Sequence, residues 1–384
     1  MLYLLYEWLK DSETGRLLNF LRYPTFRIVA GGAASMVIGV LVGPRLIAWL
    51  RFRQHGISNV REDTPDTHQK KKGTPTLGGT LILLSIFLGT LLFADLRSRV
   101  VLVALLMTGG FGFTGFLDDW LKLSKRNSKG LPGRYKLVLQ TGFYLLGVFG
   151  LLTDWSHGTP HLLIDTALTV PFVPTRHLHP DLGWLYIAFG WVVIVGTSNA
   201  VNITDGLDGL TIAPTVVSAA TFAVLCYVAG TGVAIADQVN GQVVGVPLHQ
   251  YLGIAKVEGG SELAIFCASI VGAGIAFLWF NSYPASVFMG DVGSLALGGA
   301  LGTLAVLSKN EIASAIIHGV FLTEIMSVML QVASFKSRGK RIFKMAPLHH
   351  HFELSGLPEP KIIVRFWIAS VLCGGIAILG LKLR

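Results

Sequence analysis

Three groups of carboxylates stand at the ends of strongly apolar stretches: Asp118 and Asp119 in FLDDW, Asp205 and Asp208 in NITDGLDGL, and Asp291 in FMGDVGS. An aspartate beside hydrocarbon is costly unless it pairs, binds a cation or faces a polar cavity. Asp118 and Asp119 are followed one helical turn later by Lys122. Such a set can hold Mg²⁺, or one carboxylate can act as a base. Taken alone, the same residues are equally a solvated helix end with an i,i+4 ion pair. Asn202, Asp205 and Asp208 recur every third residue, a spacing that predicts one helical face. Gly206 and Gly209 leave room there for a ligand against the backbone. Capping of the following helix would use one of those aspartates and leave the others unexplained. Asp291 precedes Gly293 and Ser294 at the start of an apolar run. A helix start offers free N–H groups to a phosphate, and Asp291 would hold the counter-ion. A plain cap is the competing account at that position.

Further polar residues occur in compact motifs. Asn281 and Phe288, in FNSYPASVFMGD, suit pairing with and stacking on a flat base. His349, His350 and His351 stand consecutively in PLHHHFE, which is expected to be a loop. Three adjacent histidines do not converge on zinc, so donation to phosphate oxygens fits them better, with a solvated run as the alternative. KKKGTPTLGG joins a lysine run containing Lys71 to a glycine-bearing turn, without the GK[ST] of a Walker sequence. Glu324 lies inside an apolar stretch and receives no role.

What positions these residues is hydrocarbon. The chain has 384 residues, of which 52% are hydrophobic and 14% charged, against about 25% charged in ordinary soluble domains. Apolar runs long enough to span a bilayer recur throughout. The fold expected is an all-α polytopic membrane protein, because lipid-exposed backbone must satisfy its own hydrogen bonds. Ten transmembrane helices are drawn near 26–49, 77–94, 100–117, 137–152, 184–201, 210–230, 263–280, 293–307, 312–334 and 362–381. Residues 1–25 form an N-terminal interfacial segment rather than a cleaved signal, and 26–384 a single transmembrane catalytic domain. Three cysteines, all within apolar runs, argue against a disulfide framework.

Basic residues concentrate in segments 50–76, 118–136 and 335–361, which the positive-inside rule makes cytoplasmic. Counting spans then places loops 202–209 and 281–291 on the same side, with both termini extracytoplasmic. All three acidic groups thus share the cytoplasmic face. The net charge of +9 is clustered in these loops, a pattern for orientation and anionic ligands, not for nucleic acid.

Together KKGTPTLGG, GFLDDWLK, NITDGLDGL, FLWFNSYPASVFMGDVGSLALGG and RIFKMAPLHHHFE closely resemble the phospho-N-acetylmuramoyl-pentapeptide transferases, in the polyprenyl-phosphate N-acetylhexosamine-1-phosphate transferase superfamily. The likeness runs from about residue 45 to the C-terminus. It implies ten transmembrane helices, a homodimer, Mg²⁺ dependence and a site facing the cytoplasm of the bacterial inner membrane. It also implies transfer from UDP-N-acetylmuramoyl-pentapeptide to undecaprenyl phosphate, giving lipid I and UMP. The family's functional positions fall on Lys71, Asp118, Asp119, Lys122, Lys136, Asn202, Asp205, Asp208, Asn281, Phe288, Asp291 and His349 to His351. Metal binding is expected at Asp291, aided by Asp118 and Asp119. Catalytic roles are expected at Asp118, Asp119, Asp291 and His349, and substrate contacts at the rest. Attack by the lipid phosphate is the simpler route; a phosphoryl-aspartate intermediate is the other.

Two alternatives remain. A sister N-acetylglucosamine-1-phosphate transferase would share the aspartates. An ion-coupled secondary transporter would also bury carboxylates, but near the bilayer midplane and not at helix ends.

Overall fold

The computed structural model describes residues 1–54, 73–125, 130–154, 161–173, 178–239 and 242–383. Its helices are α1 (Leu2–Leu9), α2 (Glu13–Leu17), α3 (Pro24–Arg53), α4 (Gly79–Phe93), α5 (Arg99–Ser124), α6 (Gly133–Leu151), α7 (Leu185–Thr204) and α8 (Ile212–Gly230). There follow α9 (Leu248–Tyr251), α10 (Gly260–Asn281), α11 (Gly290–Leu307), α12 (Glu311–Ile317), α13 (Gly319–Arg338), α14 (Leu348–Glu353) and α15 (Glu359–Leu379). Two short antiparallel hairpins lie in the long connections, one pairing Thr153–Asp154 with His161–Leu162 and one pairing Ala234–Val239 with Gln242–Pro247.

The all-α polytopic expectation holds. Among the described residues, 8 helices are long and apolar enough to cross a membrane: α3, α5, α7, α8, α10, α11, α13 and α15. Each of the ten drawn segments contains helix, but α4, with 15 residues, is short for a crossing. The segment drawn as one span over 312–334 is two helices, α12 and α13, divided at His318. Segment 118–136 is not one loop either. Helix α5 runs on to Ser124, which makes Asp118 and Asp119 part of the helix, and Lys136 lies in the first turn of α6.

Helix α11 is the centre of the bundle. Its sequence, GDVGSLALGGALGTLAVL, is small and apolar on every side, so neighbours can approach from all round. It packs between α5 and α7, while α10 packs between α3 and α8. Beyond its first turn, every residue of α11 from Val292 to Leu307 is buried. A residue on that first turn is therefore placed by the best-packed element of the protein.

Two glycines set the approach of α5 to the start of α11. A Cβ on Gly115 would lie 2.1 Å from the carbonyl oxygen of Asp291, a separation no side chain tolerates. Gly290 has φ of +71°, and a Cβ there would sit 2.5 Å from Asp119 Oδ2. The segment before α4 is stitched to the same turn. Phe288 N–H donates to Pro75 O (2.8 Å), Gly78 N–H to Phe288 O (2.9 Å) and Gly79 N–H to Met289 O (2.8 Å). Gln54 clamps the segment from α3, its amide making two 3.0 Å bonds to the main chain of Thr76.

Replacing Gly115 by Ala must push α5 away from α11. Overpacking of this kind costs about 1–3 kcal/mol. The expected result is a lower thermal midpoint in detergent, read by the unfolding of purified protein. An unchanged midpoint would mean that the two helices do not rely on this contact.

Candidate active site

The ends of α5, α6, α7 and α11 bring together residues 118 to 291. One oxygen from each of Asp118, Asp119 and Asp291 can be chosen so that all lie within 4.8 Å of one another. Asp118 and Asp119 are 1% and 3% exposed, whereas Asp291 is 18% exposed and forms the open side of the cluster. Carboxylates this close repel unless cations compensate. Lys122 Nζ lies 2.5 Å from Asp118 Oδ2, 3.3 Å from Asp119 Oδ1 and 3.4 Å from Asp291 Oδ2. Lys136 Nζ reaches Asp291 Oδ2 at 2.6 Å and Asp118 Oδ1 at 3.1 Å. Three carboxylates against two ammonium groups leave one excess negative charge, a balance that favours a further cation.

Neutral donors orient the same oxygens. Leu131 N–H donates to Asp118 Oδ1 (2.6 Å), and Val292 N–H, at the start of α11, to Asp119 Oδ2 (3.2 Å). A carboxylate is well placed against such a helix start. Asn202 Nδ2 donates to Asp291 Oδ1 (3.1 Å) and Ser294 Oγ (2.8 Å), tying α7 to α11. The donor set is all oxygen and largely anionic, which fits a hard dication such as Mg²⁺ and not a soft metal.

The second acidic group departs from its predicted geometry. Asn202, Asp205 and Asp208 do not share a helical face, because α7 ends at Thr204 and Asp205 is its C-cap residue. Nor does either aspartate cap α8, whose N-cap is Thr211, without a side-chain bond. Asp205 is half-buried, and its carboxyl is pushed up to about 8. Burial is the main cause, followed by the negative charges of Asp291 and Asp119. Asp208 Oδ2 accepts from Ala285 N–H (2.9 Å).

Asn281 is engaged at both ends of its amide, accepting from Gly209 N–H (3.0 Å) and donating to Val287 O (2.9 Å). Asp208 and Asn281 therefore brace the 282–289 loop that carries Phe288. Trp367 Nε1 donates to Gly209 O (3.0 Å), and Glu359 Oε1 accepts from Asp208 N–H (3.2 Å), so α15 secures the same turn.

The histidines lie on a short helix, α14, where a loop was expected. His349 is 1% exposed and faces Glu324 of α13, its Nδ1 standing 3.2 Å from Oε2. His350 Nδ1 pairs with Glu353 at 2.7 Å. His351 Nδ1 accepts from Lys344 N–H (3.1 Å). The three rings thus have separate partners. Lys71 lies outside the described residues. Sequence reasoning missed the anchoring roles of Gln54 and Leu131 N–H and left Glu324 unassigned. For Glu324 a signal existed, since a carboxylate within an apolar span seldom lacks a partner.

Comparison with known proteins adds to this geometry. Residues 101–309 match the profile of Glycosyl transferase family 4. The chain is 71% identical to the phospho-N-acetylmuramoyl-pentapeptide-transferase of Myxococcus xanthus (strain DK1622), with 100% of each chain covered. It is 60% identical to that of Anaeromyxobacter sp. (strain Fw109-5), over 96% of each chain. The identity to that of Citrifermentans bemidjiense is 48%, over 100% of each chain.

Purified protein is expected to bind Mn²⁺ as a spectroscopic stand-in for Mg²⁺. Asp291→Asn should lower that affinity at least about tenfold, through loss of one anionic ligand. Electron paramagnetic resonance titration checks this, and equal affinity in the variant would remove Asp291 from the ligand set.

Proposed function

The chain belongs to the phospho-N-acetylmuramoyl-pentapeptide-transferase family, and we propose on that premise that it joins UDP-N-acetylmuramoyl-pentapeptide to undecaprenyl phosphate, releasing UMP and forming lipid I for peptidoglycan synthesis. The observation that carries the chemical reading is the convergence of Asp118, Asp119 and Asp291 with Lys122 and Lys136. Phosphoryl transfer depends on positioning and charge neutralisation more than on covalent chemistry. An oxygen of the lipid phosphate attacks the sugar-linked phosphorus of the donor. The bond from that phosphorus to the bridging oxygen breaks, and UMP leaves with the electron pair.

Asp291, with Asp118 and Asp119, would hold Mg²⁺, which would supply charge neutralisation at the diphosphate. Lys122 and Lys136 bind phosphate oxygens, exchanging part of their pairing with the carboxylates for the substrate. Asp118 or Asp119 orients the acceptor phosphate and takes its last proton when it carries one. That proton is mostly absent at neutral pH, with a second phosphate pKa of about 6, so this contribution is modest. Phe288 stacks on uracil from the loop that Asp208 and Asn281 brace. His349 to His351 and Lys71 complete the anionic-ligand side.

The reading places the site on the cytoplasmic face of the inner membrane, with ten crossings and both termini outside. The side follows from the basic segments, among them Lys336, Arg338, Lys340, Arg341 and Lys344 near α14. The homodimer implied by the family finds no support in the single chain.

Three measurements test this reading. Purified protein with Mg²⁺, undecaprenyl phosphate and UDP-N-acetylmuramoyl-pentapeptide should release UMP, and omission of any one should stop it. Release from UDP-N-acetylglucosamine instead would favour the sister transferase, and no release with either donor would refute the activity. Asp291→Asn should remain folded yet turn over about 100-fold or more slowly, the scale of losing one preorganised electrostatic contact. Lys136→Ala should chiefly impair use of the anionic substrates; unchanged kinetics would leave Lys136 a topological lysine.

A further inference from the structure

Glu324 projects from α13, an apolar helix of membrane-spanning length, yet it is fully buried. A lone carboxylate in such a place is expensive, and among the described residues its carboxylate oxygens are hydrogen-bonded to a single residue. Oε1 accepts from the backbone N–H of His349 (3.2 Å), and Oε2 faces the ring Nδ1 of the same histidine at 3.2 Å. One side chain therefore grips both main chain and imidazole, fixing the ring's rotation. Where the carboxylate is ionised it can only accept, and Nδ1 is then the donor. The remaining ring nitrogen, Nε2, is then the atom through which His349 meets the site.

Nε2 is buried and has no hydrogen-bond partner among the described residues. It is aimed at the turn after α7: a Cβ on Gly206 would lie 2.3 Å from it. That glycine stands between Asp205 and Asp208, four residues after Asn202, which binds Asp291. A buried polar atom without a partner carries a desolvation penalty that an incoming oxygen relieves. The chain thus holds an oriented imidazole whose free nitrogen points at the acidic turn, with its other nitrogen pinned from behind by a carboxylate. The same carboxylate–imidazole relation orients ligating histidines elsewhere.

We propose that Glu324 is a positioning residue for the transfer reaction, holding His349 so that Nε2 engages a phosphate oxygen of the substrate beside Gly206. The proposal rests on the transferase reading above. Glu324 itself touches no substrate. Both ring nitrogens are donors in an imidazolium, a form that would let Nδ1 donate to Glu324 while Nε2 donates to the anion.

The experiment is a double-mutant cycle on UMP release by purified protein, with the wild-type enzyme as reference. Glu324→Gln keeps the side-chain shape and removes the charge. It should lower kcat about 10- to 100-fold, the range for loss of an orienting partner, with KM for the UDP donor changed less than about twofold. His349→Ala should be slow in its own right, and adding Glu324→Gln to it should cost nothing further. A purely structural Glu324 would instead multiply its loss onto that of His349→Ala, which would overturn the proposal, as would unchanged kcat in Glu324→Gln.

Gly206→Ala approaches the same ring from another element and decides the matter where Glu324→Gln does not accumulate folded. It should slow turnover with His349 present and add nothing in the His349→Ala background. An unchanged rate with His349 present, or a loss that persists in that background, overturns the proposal. Absence of UMP release by the wild-type protein would be a failure of the transferase reading instead.

Discussion

Mutual repulsion among Asp118, Asp119 and Asp291 is the constraint around which the protein is arranged. Their oxygens approach within 4.8 Å in a largely water-excluded place, where charges act on one another far more strongly than in solution. Lys122 and Lys136 offset most of that repulsion, and they come from different helices, so the balance exists only when α5 and α6 are correctly docked. Truncating one partner of a buried pair typically costs about 3–5 kcal/mol, because the other charge is left stranded. Function and folding are linked here through the same few atoms.

Packing supplies what electrostatics alone could not. Helix α11 is buried almost throughout, and its first turn carries Asp291. Gly115 lets α5 press against that turn, and Gly290 turns the chain where no Cβ would fit beside Asp119. The 73–79 segment is hydrogen-bonded along 288–289, so α4 and α11 begin from one shared patch of backbone. Asp118, Asp119, Lys136 and Asp291 are thereby mounted on rigid helix ends, while Phe288 lies in the loop between α10 and α11.

Much of this was legible in the sequence. Carboxylates at the edges of apolar runs, with basic residues close by, pointed to a shared site at one membrane face, and the three metal-ligand candidates do converge. Helix ends were less legible. Hydropathy loses its signal where charged residues begin, so the third span is drawn only to 117, whereas α5 continues through Asp118 and Asp119 to Ser124. The three-residue spacing of Asn202, Asp205 and Asp208 suggested a helical face, but a turn after Thr204 sends them to different partners. Asn281 looked like a base-pairing amide, but its oxygen accepts from Gly209 N–H, distant in the chain, which no local pattern could report. Glu324 and His349 meet for the same non-local reason.

The brevity of α4 has a consequence for the lipid itself. Its 15 residues rise about 22 Å, against roughly 30 Å of hydrocarbon in an ordinary bilayer. A short span is accommodated by thinning of the bilayer, by snorkelling of flanking residues or by association with other helices. Because α4 and α11 start from one shared patch of backbone, any thinning of the bilayer to meet the short helix would fall beside the turn that carries Asp291.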